Sequence, residues 1–248
     1  MSTSATGSPP PSVLFAGPTC APLDPALPAR AGFELRPPAR RGDVAALLGG
    51  APGTVVLVDG NFHQSLAVGH AELRAALEGG WRVWGVGSMG AIRAWEMRHL
   101  GMRGFGRVYE HFLGEDDFQD DEVALLHAPD PPYLPVSEPL VHIRWFLRGL
   151  EESGALDGAA AGRVATELKA LWYGDRTLEL TLALVERHGG PAAGGEARRR
   201  MDDFDPWRVK TRDLADFLER GAWRDDGYRP TPRPAPYGPG DTGERLPA

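Results

Sequence analysis

Hydrophobic positions follow two regimes along the 248-residue chain. In the first half, short unbroken apolar runs at Val13–Ala16, Thr54–Val58 and Trp81–Val86 are bounded by Gly, Pro and Asp, the pattern of strands buried on both faces. Phe33–Arg36 is a candidate for one more strand. Between the runs the period becomes helical, briefly over Asp43–Leu48 and more fully over His70–Leu77 and Met89–Leu100. Strands alternating with helices predict an α/β fold: a Rossmann-like or flavodoxin-like parallel sheet with right-handed crossovers. Beyond Ser137, apolar residues at helical spacing (Leu140, Ile143, Leu147, Leu150; Val164, Leu168, Leu171; Leu178, Leu182, Val185) predict three helices of a C-terminal annex. A fourth is expected near Pro206, with Asp205 as its cap, through Val209, Leu214, Phe217 and Leu218.

Prolines at 129, 131, 132, 135 and 139 mark the change of regime. The expected division is a disordered tail over 1–12, an α/β core over 13–136, a helical annex over 137–224 and a disordered Pro-rich tail over 225–248.

An open parallel sheet binds ligands beyond the carboxyl ends of its strands, and three loops begin there. They are Gly17-Pro18-Thr19-Cys20, Asp59-Gly60-Asn61-Phe62-His63-Gln64, and the turn at Ser88. Val86-Gly87-Ser88-Met89-Gly90 approaches the Gly-x-Ser-x-Gly nucleophile elbow but has valine at its first position. The first N–H groups of the following helix, on Met89 and Gly90, suit an anion or a developing oxyanion. Asp59, His63 and Ser88 are the residue types of a nucleophilic triad. Each also has an ordinary reading: Asp59-Gly60 as a turn, His63 as a half-buried imidazole, Ser88 as a helix cap. Arg93 and Glu96, three residues apart on one helix face, read either as a surface ion pair or as the edge of a pocket.

Three further features carry weaker signals. Gly101 to Glu110, with its glycines and arginines, reads as a flexible loop or a helix stop at Gly101. The acidic run over 115–122 reads as solvated surface or as a site for a cation or basic peptide. Cys20 reads as an inert thiol or a persulfide relay.

Composition then removes whole classes of function. A net charge of −7 argues against general nucleic-acid binding, and a lone cysteine excludes an internal disulfide and an all-cysteine metal site. No metal site is expected. Lys169 and Lys210 are the only lysines, and neither lies in a phosphate-binding Gly-x-x-x-x-Gly-Lys loop. With no apolar run approaching ~18 residues and no signal pattern, a cytoplasmic protein without membrane contact is expected.

Taken in order, the motifs resemble the TfuA-like family. They are Ala16-Gly17-Pro18-Thr19, Arg36-Pro37-Pro38 with Arg41-Gly42-Asp43, Asp59-Gly60-x-Phe62-His63-Gln64, Ser88-Met89-Gly90-Ala91-x-Arg93-Ala94-x-Glu96, Gly101-Met102-x-Gly104-x-Gly106 and Asp120-Asp121-Glu122-Val123-Ala124. A looser similarity continues through Tyr173-Gly174-Asp175-Arg176-Thr177 and Lys210-x-x-Asp213. Cys20 matches no motif, and Leu214 stands where a small residue is usual.

The resemblance implies a partner of a YcaO enzyme in replacing a backbone amide oxygen by sulfur on a ribosomally made peptide or a protein. The YcaO partner uses ATP, and no cofactor is implied for this chain. The implied role is sulfur delivery by hydrolysis of the C-terminal thiocarboxylate of a ubiquitin-like sulfur carrier, with the precursor peptide as a further partner. Catalysis would fall to Ser88, His63 and Asp59, and substrate binding to Met89, Gly90, Arg93, Glu96, Gly17, Thr19, Arg41 and Arg103. The alternative is a non-catalytic adaptor that binds and activates the YcaO enzyme.

Overall fold

The computed structural model describes residues 11–60, 66–114 and 120–231. His63, most of the acidic run and most of both predicted tails lie outside the described residues.

Five strands, β1 (Ser12–Phe15), β2 (Glu34–Arg36), β3 (Thr54–Leu57), β4 (Arg82–Val86) and β5 (Arg103–Phe105), form one parallel sheet in the order β2-β1-β3-β4-β5. This is the flavodoxin-like order, whose topological switch point lies between β1 and β3. Alternation along the strands sends side chains to two separate cores. Val13, Phe15, Val55, Leu57 and Val83 face α2 (His70–Glu78), α3 (Met89–Met97) and α4 (Arg107–Gly114). Leu14, Val56, Trp84 and Val86 face the opposite way, toward the short α1 (Leu27–Arg30) and a helix from the end of the chain.

The chain supplies that covering helix last. After the sheet come α5 (Leu140–Glu152), α6 (Gly158–Lys169) and α7 (Leu178–Met201), which bury Leu147, Leu150, Val164, Leu168 and Leu184 in a core of their own. Gly190, at φ +84° and followed by Pro191, breaks α7 into two parts. Then α8 (Val209–Arg220) returns to the sheet, placing Leu214, Phe217 and Leu218 against Trp84 and Phe105. Leu214 is fully buried there, so its bulk fills this interface. A single turn of 3-10 helix, Asp205–Trp207, occupies the expected start, and the α-helix begins after it with Arg208 at the cap position in place of Asp205.

Two elements depart from the sequence reading. The Gly-rich segment after Gly101 forms β5 and α4 rather than a loop, although Gly101 does end the preceding helix in the left-handed conformation, at φ +99°. The acidic run ends in a turn over Asp120–Glu122 that buries Glu122 and leaves Asp120 exposed.

The junction of β4 and α3 is set by close approach of backbones. A Cβ on Gly90 would stand 1.9 Å from the carbonyl oxygen of Leu57, and one on Gly85 would stand 1.9 Å from that of Gly90. Helix α3 therefore lies directly on the sheet. Gly90→Ala is expected to cost about 2–3 kcal/mol through forced backbone displacement. Gly162→Ala in α6, where an added Cβ meets nothing within 4 Å, is expected to raise stability by about 0.5–1 kcal/mol. Urea denaturation of the two variants checks both signs, and a neutral Gly90→Ala would refute the packing account.

Candidate active site at the carboxyl rim of the sheet

The switch-point crevice is occupied by the protein itself. Asp59, at the end of β3, turns its carboxylate back across β1: Oδ2 accepts from the N–H groups of Gly17 (2.8 Å) and Thr19 (2.9 Å), and Oδ1 accepts from the Thr19 hydroxyl (2.7 Å). Asp59 is only 3% exposed. Gly17 and Thr19, expected to bind substrate, are thus partners of Asp59, which acts as a clamp on the β1 loop. The Cys20 thiol beside it is pushed up to about 11 by burial and by the Asp59 charge, which keeps it protonated and unsuited to a relay.

One strand over, Ser88 follows Gly87, whose φ of +70° makes the sharp turn off β4. Its hydroxyl makes no capping bond to α3. Instead it accepts from Nζ of Lys210 at 3.3 Å, and Nζ also donates to the carbonyl of Val123 at 2.9 Å. Ser88 is 3% and Lys210 1% exposed. Burial pushes the Lys210 ammonium below the ordinary lysine range, against the opposing pull of Asp59 and Glu138.

The helix N–H groups are used unequally. That of Gly90 donates to the Val58 carbonyl at 2.9 Å, so it is unavailable to a ligand. The N–H of Met89 has no partner among the described residues. Arg93 and Glu96 form the ion pair at 2.6 Å that the ordinary reading expects, with His70 joining Glu96 at 2.8 Å and the Val68 carbonyl taking a second Arg93 bond. Arg103 lies below the rim, level with Trp84, where it stacks on that ring and pairs with Asp226 at 2.9 Å. Arg41 is exposed on the loop after β2, its N–H bonded to the Leu66 carbonyl.

Lys210, the buried partner of Ser88, is missing from the candidates named at first. The signal was present in composition, since lysine is nearly absent from an arginine-rich chain. Around it lies a ring of buried polar groups. Glu138 accepts from Arg208 (2.6 Å) and bonds His142 Nδ1 (2.8 Å), while His142 Nε2 is buried without a partner among the described residues. Although burial opposes it, His142 and Arg208 together hold the Glu138 carboxyl below its usual range.

The acidic motif is structural. Asp121 accepts from the fully buried Arg176, and Glu122 pairs with the buried Arg144 at 2.8 Å. No cluster of His, Cys, Asp and Glu among the described residues could hold a metal ion. No helix among them is long and apolar enough to cross a membrane.

A family model described as TfuA-like protein matches residues 59–177. The chain belongs to the TfuA-like family. The matched span begins at Asp59 and ends beside Arg176, so in this TfuA-like chain it holds Ser88, its helix and the acidic motif, whereas Lys210 on α8 lies beyond it. No curated protein matches the chain in sequence.

The buried histidines of this TfuA-like protein give its stability a pH dependence. Burial pulls His111 and His142 from 6.5 down to about 4, and pushes Asp213 up from 3.8 to about 7. Between about pH 6.5 and pH 4 the unfolded chain binds two protons on these histidines that the folded chain does not, so their contribution is lost as pH falls. Asp213 has the opposite sign, since its folded form keeps a proton that the unfolded form releases above about pH 4. The balance is one more proton on the unfolded chain. Urea midpoints are therefore expected to fall from about pH 6.5 to pH 4.5, less steeply in His142→Gln; midpoints that rise on acidification would contradict this assignment.

Proposed function

We propose that this chain supplies sulfur to a YcaO enzyme during thioamide formation, by hydrolysing the C-terminal thiocarboxylate of a ubiquitin-like carrier protein, with Ser88 as the nucleophile. The family is associated in general with YcaO partners. The observation that carries the catalytic part is Ser88 itself. Its hydroxyl ends a parallel strand at the binding rim of the sheet, beside the first N–H of a helix, and faces a buried amine instead of capping that helix.

Thiocarboxylate hydrolysis is acyl transfer. A hydroxyl attacks the carbonyl carbon, charge gathers on oxygen, and sulfide departs. Sulfide is a much better leaving group than an amine, so modest activation of Ser88 is adequate. The Met89 N–H, at the positive end of α3, suits the developing oxyanion. Arg41, exposed on the loop after β2, suits the anionic tail of the carrier. His63 and Asp59 were the other candidates for the reacting centre: His63 lies outside the described residues, and the carboxylate of Asp59 is engaged by Gly17 and Thr19.

The adaptor reading is supported by a different fact, the near-complete burial of both Ser88 and Asp59. In that reading the chain binds and activates the YcaO enzyme and performs no chemistry. Incubation with thiocarboxylated carrier separates the two. Sulfide release is expected from the wild-type protein and at least ~100-fold less from Ser88→Ala. Thioamide formation that proceeds undiminished from carrier-bound sulfur with Ser88→Ala would establish the adaptor instead.

A further inference from the structure

Exposed apolar side chains are unevenly distributed over this protein. Of the seven large hydrophobic residues exposed among the described residues, four, Leu134, Val136, Leu171 and Trp172, lie in two segments that are bonded to each other. We propose that these segments form the docking face for the YcaO enzyme, through a surface of that enzyme that is apolar at its centre and ringed by Lys and Arg. The inference rests on the YcaO partnership in the reading above and not on its hydrolytic step.

The first segment is a short hairpin over residues 126–137. The Ala128 N–H donates to the Leu134 carbonyl at 2.9 Å, the Val136 N–H to the Leu126 carbonyl at 2.8 Å, and the Leu126 N–H to the Ser137 hydroxyl at 2.8 Å. These bonds fix the backbone while Leu134 and Val136 stand 63% and 57% exposed. The second segment is the α6–α7 connection, where Trp172 is 55% exposed. A Cβ added at Gly174 would stand 2.2 Å from the Trp172 ring, and the Tyr173 ring lies 5.0 Å from it between centres. The indole is therefore held before any partner arrives, which lowers the entropy lost on binding. Arg176 fastens the two segments. Its carbonyl accepts from the Glu138 N–H at 2.9 Å, and its buried guanidinium donates to the carbonyls of Leu171 (2.9 Å) and Asp121 (2.8 Å).

Charge selects the occupant. The exposed charged residues of segments 120–138 and 171–180 are Asp120, Asp130, Asp175 and Glu179, all acidic, and Arg176, the one basic residue there, is fully buried. An apolar centre within a carboxylate rim complements an apolar surface ringed by cations. It does not suit the carrier, whose anionic tail is left to the loop bearing Arg41. A second copy of this chain, docked by two-fold symmetry, would set the same carboxylates against themselves. A rigid exposed tryptophan is the residue type that most often dominates the energy of a protein interface.

The face also adjoins the rim of the sheet. Tyr133 lies in the left-handed region at φ +56° and packs on the β1 loop, its ring 3.4 Å from where a Cβ on Gly17 would stand. Residues other than glycine are uncommon in that region and cluster where function holds the backbone. An enzyme docked on the hairpin is thus placed beside the rim that carries Ser88, where the reading above releases sulfur.

Biolayer interferometry with the purified YcaO enzyme of the same organism tests the face. The wild-type protein is expected to bind, and Trp172→Ser and the double variant Leu134→Ser, Val136→Ser are each expected to bind at least ~10-fold more weakly. Asp130→Lys combined with Asp175→Lys is expected to weaken binding and to flatten its dependence on salt. Leu100→Ser, which removes an exposed apolar side chain outside both segments, is expected to bind as the wild type does. A wild-type protein that does not bind the enzyme, or folded variants of both segments that bind at wild-type strength, overturns the proposal. If Trp172→Ser does not fold by circular dichroism, the hairpin and charge variants decide. Carrier binding or self-association that depends on Trp172 while YcaO binding does not assigns the face to that other occupant and also overturns it. Assays with thiocarboxylated carrier keep the two ideas apart. Trp172-dependent YcaO binding without sulfide release rejects hydrolysis and retains the face, whereas sulfide release with YcaO binding indifferent to these variants does the reverse.

Discussion

A lysine amine removed from water must be given acceptors, and the way Lys210 obtains them organises the carboxyl end of this fold. One turn of α8 touches four separate elements. Lys210 reaches the β4–α3 turn and the segment at Val123, Thr211 reaches the β1 loop, and Asp213 caps α4 through the Val108 N–H. Below this turn, Leu214 and Phe217 seal the second face of the sheet against Trp84. Polar bonds fix where the helix sits, and apolar burial supplies most of the energy that keeps it there.

The acidic motif performs the matching task on the other side. Asp121 satisfies Arg176 from the end of the α6–α7 connection, Glu122 satisfies Arg144 on α5, and the next residue offers its carbonyl to Lys210. Three consecutive residues thus tie the annex, the sheet and α8 together. The Glu122–Arg144 pair, buried on both sides, adds little net stability compared with apolar substitutes, but loss of one partner leaves an uncompensated charge, worth about 3–5 kcal/mol. These pairs act as fasteners of register, which explains why charged residues lie in the interior of an otherwise apolar contact.

Much of the architecture was legible because the strands are short, fully apolar and bounded by turn residues, and because α2, α3, α5 and α6 carry clear helical stripes. β5 and α4 were not. Gly104 and Gly106 look like flexibility in the sequence, yet they are places where large groups press on the backbone: an added Cβ would stand 2.3 Å from the Tyr109 ring and 2.4 Å from the Asp213 carboxyl carbon. Glycine conserves space there, and nothing local in sequence distinguishes space from freedom. The acidic run misled for a related reason, since its partners Arg144 and Arg176 lie 22 and 55 residues away. Lys210 was hidden in the same manner, being 122 residues from Ser88. The rim location of Ser88 and Asp59 followed from local pattern, whereas the partner of each depended on tertiary packing.

The occupied switch point bears directly on where chemistry can occur. In an open sheet of this order the crevice between β1 and β3 is the natural ligand site, but here the Asp59 carboxylate fills it with bonds to Gly17 and Thr19. That arrangement leaves Ser88, at the end of β4, as the candidate position and turns the usual pocket into a support for the loop that receives α8. Ser88 and Lys210 are brought together by packed elements, so their separation is set by the seat of α8 on Thr19, Gly87 and Val108. A change at that seat, even one remote from either side chain, alters the distance between the Lys210 amine and the Ser88 hydroxyl, so the last helix shapes this rim as well as covering it.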